Sequence, residues 1–385
     1  MTTTRVPTGP AEKVRSLELF FDLVFVFAIT QIAAVLTAAP TGTGLARVTV
    51  LLAVVWWMYG GYAWLTNALD LDRTRPRLLL LAGMAAYFVM SLAVPRYFEE
   101  GPFGLVLGIA YLVVVVVHTA GFLGTSGRGA ILRLGPLNLL GAAVLVVAGF
   151  LPPDVRLWLA LAVVVLHYAT PHVVGISGFV VGAGHFVERH GLALIILLGE
   201  SIIAVGAAAT AKGSVTTVVV GSLLALAVSA AMWWLYFDHE DAAGEHALDA
   251  MPARRRGLAA LLSFGYAYLV MIAGVTVAAV GMKKAVSYLG SPLHDLEPWL
   301  LPIGLTGYLL GLAAFRRSLT PSWPWPRLAA AAAVWLCVPA GLLVGGWLEL
   351  AVAALVLAGT VVAESVRPTP APTGAPTAAP TAESG

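Results

Sequence analysis

Long apolar runs, separated by short clusters of arginine, proline and glycine, set the character of this chain from near its start to about position 365. Runs such as Leu105 to Phe122 and Val218 to Leu235 lack the strict alternation of a membrane barrel strand. Each is close to the length a helix needs to cross about 30 Å of hydrocarbon, the medium in which every backbone polar group must be satisfied within the segment. Splitting the runs at charged, Gly and Pro breaks gives twelve candidate spans, beginning near positions 17, 45, 78, 103, 134, 155, 190, 215, 257, 298, 328 and 347. The expected fold is therefore all-α, a polytopic transmembrane helical bundle of about 12 spans. In the sixth span the apolar run continues past Pro171 to Phe186. Proline removes a backbone donor and disfavours helix at the residue before it, so a break is expected between His167 and His172. The last two spans are expected to meet in a tight hairpin at Gly345-Gly346.

Composition strengthens this reading. With 59% hydrophobic and 11% charged residues and a mean hydropathy of +0.90, 385 residues could not cover a water-facing surface with polar groups. A net charge of +2 with dispersed basic residues points away from nucleic acid. With the N-terminus placed in the cytoplasm, sixteen of the 22 basic residues fall on that side, among them Arg73, Arg75, Arg77, Arg128, Arg133, Arg189, Arg254, Arg255, Arg256, Arg316 and Arg317. Positive loops stay inside the cell, so both termini are expected to be cytoplasmic. Cys337 is the single cysteine, which excludes a disulfide framework and a thiolate metal cluster. Glu18 and Asp22 interrupt the first apolar run, so it is read as a retained helix rather than a signal peptide.

The two halves of the chain echo one another. Trp56-Trp57-Met58-Tyr59 recurs as Trp233-Trp234-Leu235-Tyr236, and Ala86-Tyr87-Phe88-Val89-Met90 recurs as Ala267-Tyr268-Leu269-Val270-Met271. This suggests a 6+6 parallel internal repeat, a layout some secondary transporters use. The organisation expected is an N-terminal cytoplasmic segment (1–16), a first helical half (17–184), a second helical half (185–365) and a Pro/Thr/Ala-rich tail (366–385) that cannot bury a core.

Charged groups inside apolar spans are costly, about 2.5–3.5 kcal/mol for an acid at the bilayer centre on insertion scales, so retained acids are candidate site residues. Glu18 and Asp22 are four residues apart and share a helix face, with Gln31 placed to extend the polar stripe deeper. Glu200 lies eleven residues past Arg189, about 16 Å along a helix and near mid-membrane. His185 and Glu188, three residues apart, are a candidate metal pair, for which a helix start at the membrane interface is the competing explanation. His118, His167 and His172 read as hydrogen-bonded core histidines, and Asp238 to Asp249 as a solvated loop. No nucleophile elbow, phosphate loop, HExxH or dinucleotide fingerprint is present, so no enzyme activity and no cofactor are expected.

The run Leu17-Glu18-Leu19-Phe20-Phe21-Asp22-Leu23-Val24-Phe25, with His185-Phe186-Val187-Glu188-Arg189-His190-Gly191 and Leu198-Gly199-Glu200-Ser201, resembles the bacterial low-temperature-requirement A family. Trp233-Trp234-Leu235-Tyr236-Phe237-Asp238 and the stretch from Ala273 to Ala285 are similar to later family patterns. The resemblance implies a multi-pass protein of the bacterial plasma (inner) membrane, associated by name with growth in the cold. It places the family acids on Glu18, Asp22, Glu188 and Glu200. Tyr268 stands where the family often has histidine, which argues against a proton-relay histidine there. Two functions compete. One is a secondary transporter or permease, in contact with the lipid bilayer and moving a small solute or ion with Glu18, Asp22, Gln31, Glu188 and Glu200 as binding groups. The other is a non-transporting sensor or accessory factor in cold or envelope stress.

Overall fold

The computed structural model describes residues 14–211 and 215–366. Among them, twelve helical spans are long and apolar enough to cross a membrane. They are α1 (Ser16–Ala38), α2 (Gly42–Ala68), α3 (Thr74–Arg96), α4 (Phe103–Leu123), α5 (Arg128–Ala148), α6 (Pro153–Val174), α7 (Ala183–Ala211), α8 (Thr217–Ala250), α9 (Ala253–Ser287), α10 (Glu297–Leu319), α11 (Trp325–Leu343) and α12 (Gly346–Ser365). No strand occurs among the described residues. The expected disorder of the tail from Arg367 falls outside them, as does most of the N-terminal segment. With twelve successive crossings, odd-numbered spans begin on the face that carries Val14, here the N-terminal face, and even-numbered spans end there.

Two local expectations are corrected. The helix does not break between His167 and His172: α6 runs through Pro171 to Val174 and stops only at Gly175, whose φ of +74° suits glycine. Pro171 lies in the last turn, where the carbonyl left without its usual donor belongs to His167 and little helix remains to be lost. The segment Asp238 to Asp249 is not a solvated loop either. Glu240–Ala250 is helical and Glu240 is 3% exposed, because its carboxylate is drawn inward by Arg327 at 2.8 Å and Arg316 at 3.1 Å. The hairpin expected at Gly345-Gly346 is present, with Gly345 at φ +141°.

Packing joins neighbours in a repeated order. In the first six spans α1 lies against α2 and α3, α2 against α4 and α6, and α3, α4, α5 and α6 pack in succession. In the second six α7 lies against α8 and α9, α8 against α10 and α12, and α9 to α12 pack in succession, with further contacts of α9 to α8 and α12. The two sets meet where α1 and α2 face α7 and α9. The matched letters are not in like surroundings, however: Trp56 is buried whereas Trp233 is 43% exposed.

Lipid tails are as apolar as leucine, so spans associate through close packing and interhelical hydrogen bonds rather than through burial from water. One close seam is α9 against α10, where Gly274 lies on Gly304, Gly281 on the Leu301 backbone and Gly311 on Met271; a methyl group at Gly311 would fall 2.6 Å from the Met271 amide nitrogen. Tyrosines tie other spans together by donating to buried backbone carbonyls. Tyr62 donates to Val114 at 3.0 Å, Tyr87 to Val55 at 2.5 Å, Tyr268 to His190 at 3.0 Å and Tyr308 to Met232 at 2.5 Å.

Candidate functional site

The junction of the two sets of spans holds an ion cluster and, beside it, an aromatic cleft. Glu18 and Asp22 of α1 face His185 and Arg189 of α7. Both acids and both bases stand four apart on their helices, and the pairs Glu18–His185 and Asp22–Arg189 have the same separation of 167 residues. Two parallel helices in register present such pairs to each other one turn apart.

Glu18 accepts from His185 Nε2 at 2.9 Å, from Arg189 Nη1 at 3.3 Å and from the Arg15 amide at 3.0 Å, the last as the helix-capping residue of α1. Asp22 accepts from Arg189 Nη2 at 3.4 Å. The guanidinium also donates to the Thr66 hydroxyl and to the Tyr62 carbonyl, and lies 5.6 Å from the Phe21 ring centre. Glu18, Asp22 and Arg189 are each no more than 1% exposed. Breaking such a pair from one side leaves an uncompensated buried charge, worth about 3–5 kcal/mol. The cluster is thus a clamp between α1 and α7, closed to solvent.

The remaining expected site residues do not join it. Gln31 is part-exposed and makes no side-chain hydrogen bond among the described residues; nine residues turn a helix by about half a revolution relative to Asp22, so it does not extend that stripe. Glu188 is exposed, accepts from the Val14 amide at 3.1 Å, and lines a surface groove with Asp241 and Glu245. His185 turns to Glu18 instead of to Glu188, and among the described residues no three His, Cys, Asp or Glu side chains converge as a metal site would need. Glu200 is part-exposed and has no hydrogen bond or ion pair among the described residues. It stands about 16 Å along α7 from Arg189 and does not share a cavity with Asp22.

The cleft is built from residues that the charge pattern does not reveal. Trp56, Trp57, Gly60, Gly61 and Trp64 of α2 form one wall, with His118 of α4, Asn138 of α5 and Gly265 of α9 opposite. It encloses a cavity of about 80 Å³ inside a cleft of about 660 Å³ that includes its open side. The smaller figure is room for several waters or one small ring. A π-helical stretch, Leu261–Ala267, interrupts α9 here and turns the Gly265 carbonyl toward Trp56 Nε1, 2.9 Å away. Trp57 Nε1 donates to Asn138 Oδ1 at 3.0 Å and its ring stacks on His167 at 5.5 Å. His118 is 4% exposed, and neither of its ring nitrogens has a partner among the described residues. The core-histidine reading therefore fits His167, bonded to the Tyr111 hydroxyl at 3.3 Å; His172 is bonded to the Tyr266 hydroxyl at 3.0 Å but is exposed, and His118 is buried without a bond among the described residues. The one sequence signal for this site was the Trp56-Trp57 pair; its partners come from four other spans and have no common spacing.

Twelve apolar spans joined by a buried inter-span clamp define a polytopic helical membrane protein. The family model described as bacterial low temperature requirement A protein (LtrA) matches residues 13–362, and the chain belongs to that family. It is similar to an uncharacterized protein of Rhizobium meliloti (strain 1021), 28% identical over 281 residues that cover 69% of this chain and 67% of that one. No solved structure matches.

Proposed function

We propose that this protein is a carrier in the bacterial plasma membrane that moves a small, largely apolar solute through the tryptophan-walled cleft, with both termini in the cytoplasm. The observation that carries the reading is the position of the cleft: its walls come from α2, α4, α5 and α6 of the first six spans and from α9 of the second. Ligands of carriers bind where two sets of spans meet, and a rocking movement of one set against the other exposes the site to each side in turn. The shared order of neighbours supports a parallel duplication of six spans. The cleft's chemistry selects for a ring or short apolar body with one hydrogen-bonding edge, since His118 and Asn138 are its polar groups among aromatic walls. No acid lines it, so the carboxylates of α1 hold the two sets together and do not touch solute.

The test uses benzamide as a probe and the cleft's own tryptophans as reporters. Purified protein is expected to give a saturable change in tryptophan fluorescence that Asn138→Leu weakens at least tenfold while leaving the fold intact. A change that rises linearly and is the same in Asn138→Leu reflects partition into detergent and contradicts the reading. The accessory or sensor function draws its support from the clamp, whose acids are committed to Arg189 and His185. It differs in one expectation: the cleft would be reachable from one face only.

A further inference from the structure

At the face opposite the clamp, α9 to α12 close over a carboxyl group that neither the clamp nor the cleft uses. Glu349, in the first turn of α12, is 0% exposed, and both of its carboxylate oxygens lack a hydrogen-bond partner among the described residues. It rests on bare backbone: a methyl group at Gly341 of α11 would fall 3.0 Å from Glu349 Oε2 and 3.3 Å from Pro298 Cβ of α10. The turn beside it is stitched shut. The Gly346 amide donates to the Tyr288 carbonyl, the Trp347 amide to the Leu289 carbonyl and the Leu293 amide to the Gly341 carbonyl, each at 3.0 Å.

The charged and titratable groups around Glu349 settle which species fits. Lys284 of α9 is committed to Glu297 of α10 at 3.0 Å. Lys283, adjacent on α9, makes no ion pair among the described residues and does not hydrogen-bond Glu349. Cys337 of α11 is buried nearby, and residues 217–235 of α8, which also packs on α12, include no titratable side chain. Two carboxyl groups therefore share one ammonium, and the ammonium belongs to the other one. An anion enclosed without a partner costs several kcal/mol. A metal cation would need further oxygen or nitrogen ligands, and no three acidic, His or Cys side chains converge here among the described residues. A proton meets both conditions.

We propose that Glu349 is a proton-binding site: its carboxyl group is neutral in this structure, and it releases the proton only when the ends of α10, α11 and α12 at that face part and admit water. A carboxyl group enclosed beneath a stitched turn near one face of the bundle exchanges its proton with the water at that face only when the turn opens. The inference stands independently of the solute cleft.

Infrared difference spectroscopy of the full-length protein in nanodiscs decides it. At neutral pH the wild type is expected to show the carbonyl stretch of a protonated carboxyl group, absent in Glu349→Gln and unchanged when sodium replaces choline in the buffer. As pH rises the band disappears. The unfolding temperature of the wild type falls with it, whereas that of Glu349→Gln does not respond. Glu349→Gln keeps the shape of a neutral carboxyl group and is expected to fold; Glu349→Asp is the second variant, expected to retain a shifted band. If the wild type has no band that Glu349→Gln removes, the carboxyl group is ionised and the proposal fails. A band that sodium abolishes overturns it in favour of a cation site.

Discussion

The clamp and the start of α12 handle buried acid in opposite ways. At the N-terminal face Glu18 and Asp22 meet a guanidinium and an imidazole, and Glu18 has partners on both oxygens. At the other face Glu297 is paired with Lys284, but Glu349 is as enclosed as Glu18 and has no partner among the described residues. Burial alone therefore does not assign a role to an intramembrane carboxylate. A partner fixed by the opposing helix makes the acid part of the joint between spans. An acid without one must change its protonation to remain there, and only that kind can respond to its surroundings.

The comparison can be broken from the clamp side first. Arg189→Met leaves two acids buried without their cation and is expected to lower stability by about 3–5 kcal/mol, read as thermal unfolding in detergent. Adding Glu18→Gln and Asp22→Asn to it should recover most of that loss, since the penalty lies in the unpaired charges; no recovery would mean that guanidinium packing, not charge, holds α1 to α7. Asp22→Asn alone, which leaves Glu18 to Arg189, is expected to cost about 1–3 kcal/mol. His185→Ala removes one hydrogen bond at the clamp's more open edge, where the ring is 13% exposed, and should cost about 0.5–1.5 kcal/mol. Asn138→Leu removes the acceptor of Trp57 Nε1 and should cost about 1 kcal/mol while weakening benzamide binding at least tenfold, whereas the clamp substitutions leave that binding unchanged, which separates the cleft from the joint.

Much of this architecture was legible in the chain. Apolar runs located all twelve spans, because length and hydropathy are set by the bilayer and not by tertiary contacts. Their ends were harder. The start of α7 was placed near 190, yet the helix begins at Ala183, because Arg189 and His185 are charged or polar residues held inside by α1. The acids of α1 were picked out by their four-residue spacing, but their partners 167 positions away were not, since a helix pair leaves no local mark. Glu349 carries no signal in the sequence, and Glu240 reads there as part of a solvated loop, for a different reason. Both sit near span ends, where an acid is ordinarily solvated, and only the packing of α10, α11 and α12 encloses them. Glu200 is the reverse case: its depth can be counted from the sequence, but the lack of a partner among the described residues cannot.

A carrier, as proposed, requires that the cleft between the two sets of spans be reached from each side of the membrane in turn. Gly60 lines that cleft, and a side-chain carbon there meets no atom within 4 Å, so a thiol can be placed in it without strain. With the buried Cys337 replaced by serine, Gly60→Cys should react with a membrane-impermeant maleimide in right-side-out and in inside-out vesicles alike. Reaction from one face only, under every pH and temperature tried, would contradict the carrier and leave a one-sided binding protein.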